Sequence, residues 1–279
     1  MRTVVHISDP HFGKVNYALV EPLIAAIHQQ APDLVVCSGD LTQHAFMREF
    51  NEARAFLKRL PQPQLVIPGN HDVPIVNLGA RLFTPLRKYK RYICADCDPF
   101  FQDEEIAVAG INTARGMSID SGRISMRTVE RVKERMCQLP EELVKMVVLH
   151  HPIDLPLDVN ARRLVRRAKE AVHSFSECGA DLFLTGHRHE VYTGNTTDRY
   201  TIEGYAALVV QAGTCISTRV KGEPNSFNVL RIEHNHIIVE RHWWKAATLE
   251  FSLAVSEEFR RTDAGWYRID HPLAQRLAA

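Results

Sequence analysis

Short apolar runs alternate with helical patterns along about the first two-thirds of the chain. Apolar residues recur at helical spacing over residues 17–30 and 45–60, and prolines end the second of these patterns. The runs between the helical patterns are rich in Val, Ile and Leu, which favours buried strands. The predicted strands are 3–7, 33–37, 65–67, 106–111, 144–149 and 181–184. Strands that alternate with helices predict a parallel sheet with right-handed crossovers.

The pattern changes in the last third of the chain, where strand-like segments are joined by short polar turns. These predicted strands are 206–212, 226–232 and 236–244. We expect them to form an antiparallel sheet that packs on the first sheet. Further helices are predicted over 126–138 and 161–178, and residues 251–279 carry no functional signal. No repeat or low-complexity linker divides the sequence, so we predict one α/β domain over residues 1–279.

Composition and charge narrow the range of partners. The 279 residues are 45% hydrophobic and 24% charged, with a formal net charge of +1. Such a chain is typical of a globular protein, and its charge gives no argument for a nucleic-acid or membrane partner. No apolar run reaches the ~20 residues of a transmembrane helix, and no signal-peptide segment precedes the first strand. We therefore predict a cytoplasmic protein without a membrane span, and a homo-oligomer is left open.

The six cysteines favour reduced thiols. Four stand alone in apolar surroundings and are predicted to be buried thiols: Cys37, Cys137, Cys178 and Cys215. Cys94 and Cys97 form one Cys-x-x-Cys pair. Because no second pair stands at a suitable spacing, we do not expect a structural zinc site.

Two basic segments admit more than one interpretation. Residues 74–93, and 81–93 in particular, interleave Arg and Lys with Leu, Phe and Tyr. We favour an amphipathic helix with a solvated basic face; the alternative is a basic, apolar cap that grips a phosphorylated or acylated substrate. The arginines of segment 161–178 are interpreted as a solvent-exposed helix face rather than a binding patch; they are Arg162, Arg163, Arg166 and Arg167.

Polar side chains follow the carboxyl ends of five predicted strands, where the sites of open parallel sheets lie. They are Asp9, His11, Asp40, Asn70, His71, Asp72, His150, His151, His187 and His189. Asp9 and His11 stand two apart, which in an extended backbone places both side chains on one face. Nitrogen and oxygen donors suit Mn, Fe or Zn better than Mg or Ca. The donors are too many for one ion, and Asp40, from the middle strand, is the natural bridge between two. Arg115, which follows strand 106–111, is a candidate phosphate contact.

The order of these motifs resembles the calcineurin-like metallophosphoesterase family. The series Asp-x-His, Gly-Asp, Gly-Asn-His-Asp, His-x-Pro and Gly-His-x-His spans residues 9–189. Gly-Asp-Leu followed by a helix with Glu49-Phe50 is similar to the bacterial cyclic-nucleotide and glycerophosphodiester branches. The resemblance implies a four-layer α/β/β/α sandwich of two packed mixed sheets.

The resemblance also implies a role for each polar residue. One metal ion would be held by Asp9, His11, Asp40 and His189, and the second by Asp40, Asn70, His150 and His187. His71 would be the catalytic acid, oriented by Asp72, and His151 would lie behind the ligands or face the substrate. Gln43 stands where family members often carry an acid, which fits the phosphodiesterase-like branches better than the protein phosphatases.

The predicted reaction is hydrolysis of a small phosphodiester by attack of a metal-bridging hydroxide on phosphorus. His71 would protonate the leaving oxygen. The leading substrate is a 3′,5′-cyclic nucleotide, cAMP or cGMP, and the ions are Mn or Fe, with Zn as an alternative. One alternative function is a pyrophosphohydrolase of a nucleotide-linked lipid or sugar. The near-neutral charge argues against a DNA nuclease. An alternative that is not an enzyme is a metal-bound scaffold without catalytic activity.

Overall fold

The chain builds two β-sheets with helices on their outer faces. A computed structural model describes residues 1–118 and 120–269, so the end of the predicted segment 251–279 lies outside the described residues. The strands are β1 (Arg2–Ile7), β2 (Leu34–Cys37), β3 (Gln64–Val66), β4 (Phe100–Gln102), β5 (Ile106–Ile111), β6 (Val144–Leu149), β7 (Leu182–Thr185), β8 (Tyr192–Asn195), β9 (Leu208–Gln211), β10 (Ser226–Glu233), β11 (His236–Lys245), β12 (Glu250–Thr262) and β13 (Gly265–Arg268). The α-helices are α1 (Val20–Gln29), α2 (Met47–Leu57), α3 (Leu78–Phe83), α4 (Arg87–Tyr92), α5 (Met126–Cys137) and α6 (Ala168–Ser176).

The first sheet joins the start of the chain to its end. Its strand order is β13-β12-β11-β10-β1-β2-β3. β1, β2 and β3 are parallel, as predicted, and β10 pairs with β1 in the antiparallel direction, with Val5 opposite Val229. β10 thereby covers the edge of β1 that the parallel strands leave open, and a covered edge cannot pair with another chain.

The second sheet has the order β4-β5-β6-β7-β9-β8. β5, β6, β7 and β9 are parallel, and β4 and β8 are antiparallel edge strands. Two predictions are therefore wrong: that the six strands alternating with helices share one parallel sheet, and that the last strands form a separate antiparallel sheet. β9 lies parallel to β7 in the second sheet, whereas β10 and β11 extend the first sheet.

The two sheets pack face to face through an apolar core. Val36 and Leu65 of the first sheet belong to the same buried cluster as Val148 and Leu184 of the second. Buried residues of α1 and α2 cover the other face of the first sheet, and those of α5 and α6 cover the other face of the second. The layers are therefore helix, sheet, sheet and helix, the sandwich that was predicted.

Two predicted helices are interrupted in the structure. The segment 74–93 forms two short helices, α3 and α4, and Pro85, which cannot donate a helical hydrogen bond, lies between them. The segment 161–178 begins with a 3₁₀ turn over Ala161–Arg163, and Arg167, with φ of 72°, separates this turn from α6. None of the helices in the described part of the chain has the length and apolarity needed to cross a bilayer.

The cysteine prediction is wrong for one pair. Cys137, at the end of α5, and Cys178, just after α6, form a disulfide with a Cα–Cα distance of 4.6 Å. Cys37 and Cys215 are free and buried, as predicted, and Cys94 and Cys97 are also free. Cys137 and Cys178 are 41 residues apart in sequence, so only the packing of α5 beside α6 brings them together.

Candidate metal centre

Loops at the carboxyl ends of five strands converge at one edge of the sandwich. β1, β2 and β3 of the first sheet supply the loops with Asp9, Asp40 and Asn70, and β6 and β7 of the second supply those with His150 and His187. The seven predicted ligands all lie in this cluster, and six of them are buried: Asp9, His11, Asp40, Asn70, His150 and His189. Buried carboxylates and imidazoles are costly unless they are paired or bind a metal.

Left-handed backbone conformations aim these side chains. The φ angles are 53° at Asp9, 48° at His11, 53° at Asp40, 72° at His187 and 59° at His189. Non-glycine residues rarely adopt this region, and such conformations concentrate at functional sites. The prediction that Asp9 and His11 share a face through extended backbone is therefore wrong; their side chains approach each other from a backbone that is left-handed at both residues.

A first group of donor atoms surrounds the Oδ1 atom of Asp9. This atom lies 3.5 Å from Nε2 of His11 and 3.3 Å from Nε2 of His189. The two imidazole nitrogens are 3.0 Å apart. Three donor atoms thus point toward a common centre.

A second group surrounds the side-chain oxygen of Asn70. Its Oδ1 atom lies 3.0 Å from Nε2 of His150 and 3.0 Å from Nδ1 of His187. These are neutral oxygen and nitrogen donors of the kind that bind Mn, Fe and Zn.

Asp40 lies between the two groups. Its Oδ2 atom is 3.7 Å from Nε2 of His11 in the first group and 3.3 Å from Nε2 of His150 in the second. One carboxylate oxygen therefore faces both groups. This is the position that a bridging ligand requires.

The residues fit a metal centre by two further observations. Oδ1 of Asp9 is buried and has no hydrogen-bond partner in the described part of the chain, although a buried polar atom normally has one. The second observation concerns His150 and His189. In each, the ring nitrogen that faces away from the centre is held by a hydrogen bond to a backbone carbonyl. Nδ1 of His150 donates to the carbonyl of Ser38 (2.8 Å), and Nδ1 of His189 donates to the carbonyl of Arg219 (2.6 Å). Their Nε2 atoms thereby face inward, as in metal-binding histidines.

The charges of the cluster shift the pKa values of its members. Burial alone would lower the pKa of His150, but the carboxylates of Asp40 and Asp9 raise that pKa to about 9. Burial disfavours the charged form of Asp40, but His150, His71 and His11 nearby hold the pKa of that carboxyl well below its usual range. In the metal-free protein, both ring nitrogens of His150 are therefore protonated at neutral pH, and the side chain is positively charged.

Metal affinity should increase with pH because a metal ion must displace a proton from His150. The folded pKa of about 9 exceeds the ordinary value of 6.5, so protonation of His150 stabilises the metal-free fold below pH 6.5. This stabilisation is lost as the pH rises toward 9. We expect the Kd for Mn²⁺ to fall by about tenfold per pH unit in this window. Isothermal titration calorimetry at several pH values measures it, and a pH-independent Kd would contradict the assignment.

His71 lies at the wall of the site, but Asp72 does not orient it. Nδ1 of His71 donates to the carbonyl of Gln43 (2.8 Å). The carboxylate of Asp72 instead accepts hydrogen bonds from the N–H groups of Thr42 (2.9 Å) and Gly69 (2.9 Å). Burial and the charge of Asp40 raise the pKa of Asp72 to about 7. Asp72 thus ties the loop after β2 to the loop after β3, and its predicted catalytic role is not supported.

A cavity of about 290 Å³ opens above the donor groups. Its lining includes Asp40, His71, His187 and His189 together with five basic side chains: Arg162, Arg163, Arg188, Arg219 and Lys221. Neither Arg115 nor His151 lines this cavity. Arg115 has Asp98, Arg123 and Arg167 as its charged neighbours. His151 is buried against His187, with ring centroids 4.6 Å apart. The structure therefore does not support either residue as a substrate contact.

The sequence does not single out Arg219; it predicts correctly that Arg162 and Arg163 are exposed but not that they reach the cavity. Nη1 of Arg219 donates to Nε2 of His71 (3.0 Å). Arg219 follows β9, which is parallel to β7, so the rule that located the other residues applies to this strand as well. Arg162 and Arg163 were predicted to lie on an exposed helix face, but the 3₁₀ turn that carries them places both at the cavity.

Comparison with known proteins decides the family. The family model of the calcineurin-like phosphoesterases matches residues 2–191, which is more than half of the chain. The chain belongs to this family. The motifs from Asp9 to His189 all lie within the matched region, so the predicted family is confirmed.

Two relatives of this phosphoesterase family member carry phosphodiesterase names. The chain is 28% identical to the glycerophosphodiester phosphodiesterase GpdQ of Enterobacter lignolyticus over 172 residues, which cover 55% of this chain and 58% of that protein. It is 21% identical to a probable cyclic nucleotide phosphodiesterase of Synechococcus, over 68% of this chain and 74% of that protein. The match to GpdQ thus spans somewhat more than half of that protein's length.

Solved phosphatase structures share the fold of this family member. Purple acid phosphatase PPD1 from yellow lupin aligns with a TM-score of 0.67 and 12% identity, over 94% of this chain and 55% of that one. A dimetal phosphatase from Danio rerio aligns with a TM-score of 0.62 and 13% identity, over 90% of this chain and 98% of that one. At such identities the likeness concerns the fold, and the predicted sandwich is confirmed.

Replacing Gly69 with alanine should destabilise the folded protein. A Cβ atom at Gly69 would overlap the backbone nitrogen and the Oδ1 atom of Asp40, whereas one at Gly79 would meet nothing nearer than 3.6 Å. We expect Gly69→Ala to cost about 1–3 kcal/mol of the free energy of unfolding, because the loop holding Asp40 must shift. Chemical denaturation measures this cost. Gly79→Ala is the control, and equal stability of both variants would contradict the packing argument.

Proposed function

We propose that the protein is a metal-dependent phosphodiesterase that hydrolyses a small anionic phosphodiester. The observation that carries this proposal is the position of Asp40. Its Oδ2 atom faces both groups of donor atoms at the floor of a cavity that His71 and Arg219 line. The family and the names of the relatives support the same class of reaction. We also propose that the whole chain acts as one domain, because loops of both sheets complete the site.

The proposed ligands follow the two groups of donor atoms. Asp9, His11, Asp40 and His189 would hold one ion, and Asp40, Asn70, His150 and His187 would hold the other. When bound, two such ions supply Lewis acidity, which acidifies a water molecule and neutralises charge on the phosphate. The donor set favours Mn or Fe, with Zn as an alternative.

His71 would serve as the proton donor to the leaving oxygen. Because its Nδ1 hydrogen is committed to the carbonyl of Gln43, Nε2 is the nitrogen that faces the cavity. The backbone N–H of His71 donates to Oδ1 of Asp40 (2.8 Å), which fixes the residue relative to the donor groups. A positioned imidazole contributes roughly 10²–10⁴ in rate as a general acid.

Arg219 would bind the phosphate that is being cleaved. Its guanidinium lies beside His71 and within 3.5 Å of Nε2 of His11, and it forms no ion pair with a carboxylate in the described part of the chain. A planar guanidinium suits bidentate contact with phosphate oxygens. When a phosphate accepts these hydrogen bonds, Nε2 of His71 becomes free to carry a proton.

Substitution of Arg219 tests this role. We expect Arg219→Gln to lower kcat/KM by ~10²-fold, because one fixed donor to the developing charge is lost. Metal content should not change, since His189 donates to the backbone carbonyl of residue 219, which the substitution retains. Arg260→Gln, at an exposed position on β12, is the control. Unchanged kcat/KM in Arg219→Gln would remove this residue from the mechanism.

The substrate choice is open between two small diesters. A 3′,5′-cyclic nucleotide is the substrate expected from the sequence, and one relative carries that name. A glycerophosphodiester is supported equally by the name of another relative. Metal-loaded protein should hydrolyse bis(p-nitrophenyl) phosphate between pH 6 and 9, and a panel of both diesters then ranks the substrates. Absence of any hydrolysis across this range would refute the proposed function.

A further inference from the structure

The mouth of the cavity carries more positive charge than one phosphodiester needs. Five basic side chains line it, against the two carboxylates of Asp40 and Asp120. The whole chain has a formal net charge of only +1, so this excess is local. Asp40 belongs to the donor groups, and Asp120 lies 3.6 Å from Nε2 of His187.

Four of these basic side chains form no ion pair with a carboxylate of the described residues. Arg188 is held by Glu190 at 2.6 Å. No ion pair with a carboxylate is formed by the others within residues 1–118 and 120–269; they are Arg162, Arg163, Arg219 and Lys221. Surface arginines and lysines often do without partners, but four that face one cavity create a potential that attracts anions.

The turn that carries Arg162 and Arg163 is anchored to the site. The side chain of Asn160 accepts the N–H of Arg162 (2.9 Å), which caps the 3₁₀ turn. The N–H of Val165 donates to the carbonyl of Pro152 (2.8 Å), two residues after His150. These bonds tie the basic turn to the strand end that supplies a proposed metal ligand.

A phosphodiester bears a single negative charge. Within the proposed function, the metal ions and Arg219 already face that charge. Arg162, Arg163 and Lys221 lie at the exposed mouth, where they add three positive charges to those that face the diester. We propose that the preferred substrate carries a second phosphate group beside the scissile diester, bound by these three side chains; this inference rests on the proposed phosphodiesterase function.

The inference ranks the diesters by charge. A diester with a cationic head, such as a choline ester, would bring a positive group to a positive mouth. A cyclic nucleotide would leave the three side chains unused. A phosphorylated dinucleotide or a nucleoside diphosphate ester supplies the second phosphate.

The test compares ligands that differ by one phosphate. Manganese-loaded protein hydrolyses bis(p-nitrophenyl) phosphate in the presence of dTpdT or of its 5′-phosphorylated form pdTpdT, and the inhibition constant of each dinucleotide is measured. This assay gives both constants whether or not either dinucleotide is cleaved. We expect pdTpdT to bind roughly tenfold more tightly, with a preference that weakens as salt is added. Uridine diphosphate, compared with uridine monophosphate, tests whether adjacent phosphates are recognised in the same way.

The double variant Arg162→Gln/Arg163→Gln should bring the ratio of the two inhibition constants toward one. The control is Arg127→Gln/Lys169→Gln, which removes two positive charges from exposed positions on α5 and α6 outside the cavity lining and should keep the ratio. Circular dichroism confirms that both variants fold.

Equal inhibition constants in the unmodified protein, or an equal loss of the ratio in both double variants, would overturn the inference. Hydrolysis of bis(p-nitrophenyl) phosphate would still support the proposed function in that case. If this ester is not hydrolysed, the proposed function fails. Calorimetry then measures the Kd values of the same two dinucleotides, and equal Kd values would again overturn the inference.

Discussion

Replacing His71 with alanine should lower kcat for bis(p-nitrophenyl) phosphate by about 10²–10⁴-fold while both metal ions stay bound. Within the described residues, the imidazole forms no hydrogen bond with a proposed metal ligand: its Nδ1 atom donates to the carbonyl of Gln43 and its Nε2 atom accepts from Arg219. The backbone N–H that reaches Asp40 is retained in the variant. Steady-state kinetics and elemental analysis of the same preparation measure both quantities.

The control for this prediction is His173→Ala. His173 is an exposed residue of α6, on the outer face of the second sheet, and it should not affect kcat. The comparison also separates an enzyme from a metal-bound scaffold, because a scaffold has no turnover to lose. Unchanged turnover in His71→Ala would remove His71 from the mechanism, and loss of both ions would make its role structural.

The positions of the proposed ligands could be predicted because parallel strands present their carboxyl ends at one edge. This rule needs only strand ends, and it located Asp9, Asp40 and Asn70 in one sheet. It also located His150 and His187, although these belong to the second sheet. The strands were assigned to the wrong sheets, but the predicted positions were still right, because the parallel strands of both sheets end at the same edge of the sandwich.

The prediction that Asp72 orients the His71 side chain failed for a local reason. Adjacency in sequence suggested that Asp72 orients His71. The two residues lie in a 3₁₀ turn over Asn70–Asp72. Successive side chains on such a turn diverge by about a third of a circle, so neighbours in sequence face different partners. His71 faces the cavity, and Asp72 faces the loop after β2.

The basic residues of the cavity depend on long-range structure. Arg219 was missed because β9 was assigned to an antiparallel sheet, and its pairing with β7 is not visible in a local pattern. Arg162 and Arg163 were placed on a helix that the left-handed Arg167 interrupts. A non-glycine residue with positive φ is uncommon, and hydrophobic periodicity does not reveal it.

Replacing Asp40 with asparagine should reduce the metal content from two ions to at most one and lower turnover by at least ~10²-fold. The fold should survive, because an asparagine Oδ1 atom can still accept the N–H of His71. What the variant loses is the charged oxygen that lies 3.7 Å from His11 and 3.3 Å from His150. With its Oδ1 accepting the N–H of His71, the asparagine presents its NH2 group to both donor groups, and an NH2 group has no lone pair to offer a metal ion.

The matched control is Asp263→Asn, which removes one carboxylate charge at an exposed turn. It should keep two ions and normal turnover. Elemental analysis, kinetics and thermal unfolding of both variants separate three causes: lost bridging, lost net charge and lost fold. If Asp40→Asn bound two ions and turned over normally, Asp40 would not bridge the two groups, and the proposed binuclear centre would be wrong. Since every other proposed ligand belongs to only one group, no other single substitution tests the centre as directly.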